Sequence, residues 1–287
     1  MDHGTIIGIV AVVLTIAILL SAAISDWRDR EVSDIHWAIL GISGLVLFLL
    51  YSVLETGFRI EYILLTIGTL LLMVDILWNG DFNPFVFYFI VAVLFIVSLF
   101  GNMSDPVMIA WASIPLCYLM FLGMYMFNII RGGADVKCLI TLSVMFPVYP
   151  VFFGFPLIDV PMDAASQIFV FSLSALFVAA VMVIPVLFYF IFRNLKNGKL
   201  TRKTLHGYWM NIEKAKQAKV WPIEDIEDGE SVFINIPHDE DIPMIYERLE
   251  GEGRTDVWVT PMIPFLIPVL FSVLFLVIVG NPLFLIL

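Results

Sequence analysis

Long apolar runs broken by short polar clusters dominate this chain. The polar punctuation divides it into eight candidate helices, near residues 5–25, 36–54, 60–78, 84–101, 107–130, 138–156, 166–192 and 261–286. Most approach the roughly 18–20 residues that an apolar helix needs to cross a bilayer. The sixth carries Pro147, Pro150 and Pro156, which a membrane helix accepts where its neighbours satisfy the freed backbone groups. The pattern changes between residues 194 and 259. There "GYWMNIEKAKQAK" predicts an amphipathic helix, "SVFINIP" alternates like a strand, "DEDIPMIYERLEG" predicts a capped helix and "TDVWVT" a second strand. The expected fold is an all-α polytopic membrane protein of about eight transmembrane helices, with a small cytoplasmic α+β segment before the last helix. Three parts follow: a membrane core at 1–193 with about seven helices, a soluble segment at 194–259 and a C-terminal transmembrane helix at 260–287.

Composition strengthens the membrane assignment. Apolar residues make up 61% of the 287, and mean hydropathy is +0.97, far above a soluble domain. The first apolar run begins "MDHGTIIGIV" with no basic residue before it, while Arg28 and Arg30 follow it. That polarity is opposite to a cleaved signal peptide and predicts a true span with the N-terminus outside. Alternating from there puts Arg28, Arg30, Arg131, Lys137 and the cluster "RNLKNGKLTRK" on the cytoplasmic side, with Arg59 alone outside. Within the soluble segment, Glu224 to Asp256 holds twelve acidic residues against Arg248 and Arg254, an acidic surface suited to a basic partner or simply to solvation. Cys117 and Cys138 sit in apolar context, and no histidine has metal-ligand spacing. Neither a disulfide framework, a metal site, a cofactor nor nucleic acid is expected.

Two short stretches carry unusual chemistry for their position. "SAAISDWRDREVSDIHW" follows the first span and "RGGADVK" lies between the fifth and sixth. Four spans separate Asp26 from Asp135, so both lie at the same border, and ionisable residues there point to function. A paired-aspartate hydrolase needs one carboxylate ionised to activate water and one protonated to donate to the scissile carbonyl. Two close carboxylates meet that need by sharing a proton. Gly132, Gly133 and Ala134 keep the approach to Asp135 small. Simpler roles stay open for each residue: Asp26 as an interfacial helix end, Asp135 as an N-cap, Lys137 as an interfacial basic residue. Asp75, in "LLMVDILWNGD", is a rival carboxylate on the same side, or a polar contact to a neighbouring helix.

"SDWRDREVSD" before a span and "GGADVK" opening another resemble the two motifs of the type IV prepilin peptidase family, especially its archaeal preflagellin (prearchaellin) peptidase branch. The second resembles the GxGD signature of membrane aspartic proteases, with Ala134 in place of the strict form's second glycine. "VWVTPMIPFLIP" is similar to the C-terminal region of archaeal members. The resemblance implies an aspartic endopeptidase, without cofactor or metal, that removes short basic leaders from precursor archaellins or type IV pilin-like proteins at the inner membrane border. It implies Asp26 and Asp135 as the catalytic pair, and Gly132 and Ala134 as residues shaping the motif around the substrate. Gly133 and Lys137 join the expected substrate-binding set, with Asp29, Glu31 and Asp34 placed to hold a leader's lysines. The interval from Asp26 to Asp135 exceeds the family's expected spacing by about a helical hairpin. Two other readings of the carboxylates are an ion-coupled membrane transporter and a non-catalytic assembly platform of a pilus or archaellum system.

Overall fold

A computed structural model of the protein describes residues 2–78, 83–127, 129–130, 132–160, 171–198, 201–227, 229–234, 237 and 240–285. Arg131, Lys199, His238 and the expected start of the seventh span at 166–170 lie outside the described residues. In chain order the helices are α1 (His3–Asp29), α2 (Asp34–Thr56), α3 (Ile60–Leu77), α4 (Pro84–Leu99), α5 (Pro106–Met126), α6 (Gly133–Met145), α7 (Phe171–Met182), α8 (Ile184–Lys196), α9 (Ile212–Gln217), α10 (Ile242–Gly251) and α11 (Leu266–Ile278). The chain forms two compact units, one of Met1–Ala179 with Pro264–Leu287 and one of Ala180–Ile263.

The first unit is helical. Among the described residues, α1, α2, α3, α5 and the run Phe171–Lys196 are long and apolar enough to cross a membrane, while α4 and α11 are shorter apolar helices. These apolar helices make the chain a multi-pass membrane protein. Side-chain caps set several helix starts: Asp2 accepts from the Thr5 amide, Ser33 from Ile35, and Asp105 from Val107 one residue before Pro106. Each satisfies an amide that the first turn leaves without an intrahelical partner. The expected sixth span differs. Helix α6 stops at Met145 after 13 residues, because Pro147 and Pro150 lack amide hydrogens and bias their predecessors away from helix. The chain then makes a tight reversal, with paired Phe152 and Phe155 flanking Phe153 and Gly154, both at positive φ. The run Phe171–Lys196 is likewise divided at Val183, just ahead of Pro185.

Small residues let these helices meet closely. A Cβ added to Gly44 would lie 2.6 Å from Cα of Met145, so α2 and α6 touch backbone to backbone. A Cβ on Gly68 of α3 would stand 2.8 Å from the ring of Phe95 on α4. Around these approaches, Phe48, Tyr62 and Trp111 fill the core, with the Phe48 and Trp111 rings 4.7 Å apart. The Trp111 indole donates to Ser52 at 3.1 Å, which satisfies a buried donor. Helix α11 packs along α1. Its last turn is held by the amides of Leu157 and Ile158, which donate to the carbonyls of Ile278 and Val279 at 3.0 and 2.8 Å.

The second unit mixes helices and strands: β1 (Tyr208–Asn211), β2 (Val220–Pro222), β3 (Glu224–Glu227), β4 (Glu230–Phe233) and β5 (Asp256–Pro261). Strand β5 is central in an antiparallel sheet of order β1-β5-β2, with Tyr208 opposite Val259 and Val220 opposite Pro261. Strands β3 and β4 form a separate hairpin. The first half of "GYWMNIEKAKQAK" is therefore strand, not helix, because Tyr208 to Asn211 find cross-strand partners on β5 and helix begins only at Ile212. The acidic run is also not wholly surface. Glu224 is buried, accepting from Lys203 at 2.9 Å and from the Trp258 amide at 3.1 Å, and Asp225 is buried against Arg248. Burial works to raise the Asp225 pKa, but the Arg248 hydrogen bond and charge and the Ile226 amide together hold it below the ordinary carboxylate value.

Gly44→Ala is expected to destabilise the helical unit by about 1–3 kcal/mol, the usual cost of forcing extra volume into a packed contact. Gly123→Ala, where an added Cβ meets nothing within 4 Å, is expected to be neutral. Thermal unfolding of the two variants in detergent, side by side, checks the difference.

Candidate active site

The site is built where four helix ends of the first unit converge. Helix α1 ends at Arg30, a non-glycine residue at φ 61° whose amide donates to the Asp26 carbonyl at 3.3 Å. This left-handed residue stops α1 one turn past Asp26, and Ser33 starts α2 three residues later. Asp26 thus occupies the last turn of α1. Its Oδ2 accepts the amide of Leu266, the first residue of α11, at 3.4 Å.

Asp135 enters from the other direction, as the third residue of α6. Its amide donates to the Gly132 carbonyl at 3.1 Å. Gly132 occupies the N-cap position and Asp135 makes no side-chain cap, so its carboxylate is not spent on its own helix. The glycine has a steric reason. A Cβ at residue 132 would overlap the Asp135 carboxylate, with Cγ only 2.7 Å away, whereas a Cβ at Gly133 meets nothing nearer than the Tyr125 hydroxyl at 3.9 Å. Asp135 feels the charge of Asp26, so two carboxylates from distant parts of the chain stand within electrostatic range.

The remaining residues singled out from the sequence divide into two groups. Lys137 and Asp34 bind each other, Nζ lying 2.7 and 2.8 Å from the two carboxylate oxygens; this ion pair ties the start of α2 to the start of α6 beside Asp135. Asp29 and Glu31 are exposed, and Ala134 is half-buried in the first turn of α6. On α2, His36 donates from Nδ1 to the Ser33 carbonyl at 3.0 Å, and its Nε2 meets the Ser21 hydroxyl of α1 at 3.1 Å. That contact closes the α1–α2 corner next to Asp26.

Asp75 lies elsewhere. Its Oδ2 accepts from the hydroxyls of Tyr88 on α4, at 2.9 Å, and Tyr118 on α5, so it is a polar clasp among α3, α4 and α5. Neither tyrosine had been singled out from the sequence, because a phenol inside an apolar run carries no periodic signal of its own. The Leu266 amide was equally hidden, being a backbone group, although the prolines of "TPMIPFLIP" mark a helix start there. Among the described residues, no three His, Cys, Asp or Glu side chains converge as metal ligands would. A cavity of about 340 Å³ lies at the other end of the helices, between the start of α1 and the end of α2, and includes neither Asp26 nor Asp135.

Residues 199–281 match the family described as archaeal peptidase A24 C-terminus, type II. An uncharacterized protein of Methanocaldococcus jannaschii is 27% identical over 285 residues, covering 99% of this chain and 95% of that protein. The preflagellin peptidase of Methanococcus maripaludis is 27% identical over 272 residues and that of Methanococcus voltae 23% over 271, each covering 92% of both chains. No solved structure matches. The matched C-terminal segment lies outside both aspartate motifs and the two preflagellin peptidases align along nearly the whole chain, and together they support the prepilin and preflagellin peptidase family for this protein.

Proposed function

We propose that the protein is a membrane aspartic endopeptidase that removes short basic leaders from archaellin or type IV pilin-like precursors at the cytoplasmic border. The observation that supports this reading is that Asp26 at the end of α1 and Asp135 at the start of α6 stand within electrostatic range of each other, with no side-chain hydrogen bond to Asp135 among the described residues. Peptide hydrolysis by such a pair requires no group from outside the chain. One carboxylate takes a proton from water as the water attacks the scissile carbonyl. The other donates its proton to the carbonyl oxygen, and the tetrahedral intermediate then collapses as the first carboxyl passes the proton it took from water to the leaving amine and a hydroxyl of the intermediate returns one to the second.

The position suits the substrate class. Such a precursor keeps a positively charged leader in the cytoplasm and an apolar helix in the membrane, so its scissile bond sits at the border where α1 ends and α6 begins. Exposed Asp29 and Glu31 leave acidic groups for the leader. Asp34 is neutralised by Lys137, and the pair acts first as a clamp that fixes Asp135 relative to α2.

Asp26→Asn and Asp135→Asn, each alone, are expected to abolish processing of a co-expressed precursor, by at least about 10³-fold, while the protein still inserts. Cleavage at the wild-type rate by either variant removes that residue from the pair. Gly132→Ala is expected to reduce cleavage strongly by displacing the Asp135 carboxylate, and Gly133→Ala to leave most of it; immunoblot time courses of leader removal compare them. For the clamp, Asp34→Lys or Lys137→Asp alone should impair cleavage and the double reversal should recover it. No recovery would mean that one of the two residues meets the substrate directly.

A further inference from the structure

The two carboxylates are placed in unlike surroundings, and the difference comes from α11. Its first residue, Leu266, points its amide at Oδ2 of Asp26, and an amide in the first turn of a helix has no carbonyl within its own helix to bind. The partial positive charge of a helix start adds to that hydrogen bond, and both favour an anion. Arg30, one turn further along α1, adds its own positive charge to the field at Asp26. Asp135 lies in the first turn of α6, whose own start also favours an anion, but it feels in addition the negative charge of Asp26.

We infer that the Leu266 amide is a positioning group that makes Asp26 the ionised member of the pair, hence the base that activates water, and leaves Asp135 the proton donor. The inference rests on the aspartic peptidase reading above and assigns each carboxylate a separate task within it. Of the other charged groups near this corner, Asp34 is paired with Lys137, His36 is bound to Ser33 and Ser21, Arg28, Asp29 and Glu31 are exposed, and α11 itself carries no titratable side chain. Helix α11 is also held at its far end, where Leu157 and Ile158 bind the carbonyls of Ile278 and Val279, and Tyr149 donates to Leu276 at 2.8 Å. Its first amide is therefore delivered to Asp26 by a helix packed along α1 and pinned at its far end.

The test uses the full-length protein in lipid vesicles and reads ionisation directly. Infrared difference titration, referenced to the Asp26→Asn/Asp135→Asn double variant, follows the single remaining carboxyl. Asp26 alone, in Asp135→Asn, should ionise at lower pH than Asp135 alone, in Asp26→Asn; the reverse order, or coincident midpoints, overturns the assignment. Replacing Leu266 by its α-hydroxy acid through nonsense suppression exchanges the amide for an ester, which removes the N–H and weakens the Phe265 carbonyl that accepts from Val269. In the Asp135→Asn background this should raise the Asp26 midpoint by about 0.5–1 pH unit, and an ester at Val273 should not. An unchanged midpoint removes the role of the amide.

With a precursor as substrate, the Leu266 ester should move the acidic limb of the pH–rate profile upward and leave the alkaline limb in place. Movement of the alkaline limb instead would make Asp26 the acid. If the two single variants ionise in the expected order yet the wild-type protein cleaves no precursor, the peptidase reading fails while the ordering of the two carboxylates stands.

Discussion

The contact between α2 and α6 at Gly44 fixes the helix that carries Asp135. Lipid tails are as apolar as leucine, so membrane helices gain little from burying apolar surface against each other and depend on close van der Waals fit. Here the fit is tight enough that a single methyl group would collide with the Met145 backbone. Because α6 is only 13 residues long, fixing its far end at Met145 also fixes its near end. Asp135 is held at that near end, and the Asp34–Lys137 ion pair locks the same two helices again beside it.

Helix α11 supplies the second constraint. It comes from the far end of the sequence and packs on α1 so that its first amide meets Asp26. The irregular segment after α6 then binds its last carbonyls. The prolines that shorten α6 thus have a structural use, since a continued helix would have spent the amides of Leu157 and Ile158 on itself. One chain segment ends the helix of one aspartate and anchors the helix that faces the other.

Much of this was legible in the sequence because the bilayer imposes a simple code. Apolar length marks five runs long enough to cross a membrane among the described residues, and parity predicts Asp26 and Asp135 at one border. Three things were not legible. Backbone donors such as the Leu266 amide leave no trace in side-chain pattern. The strand at Tyr208–Asn211 was hidden because its aromatic and polar residues also fit a helical face, and only pairing with Val257 and Val259 decides between them. The partners of Glu224 and Asp225 are distant in sequence, so a run of acids gave no sign that two of its members turn inward.

Asp75 shows how the long interval between the two motifs can be accommodated. Helices α3 and α4 pack on each other and make up a hairpin's worth of additional chain between α2 and α5. A lipid-facing hairpin needs something to hold it to the bundle, and apolar contact alone is weak there. Asp75 meets that need: from α3 it accepts hydroxyls from α4 and α5 with one oxygen, so one carboxylate binds three helices. The same side chain that rivals Asp26 on position alone is engaged with α4 and α5, where it holds the extra hairpin to the bundle.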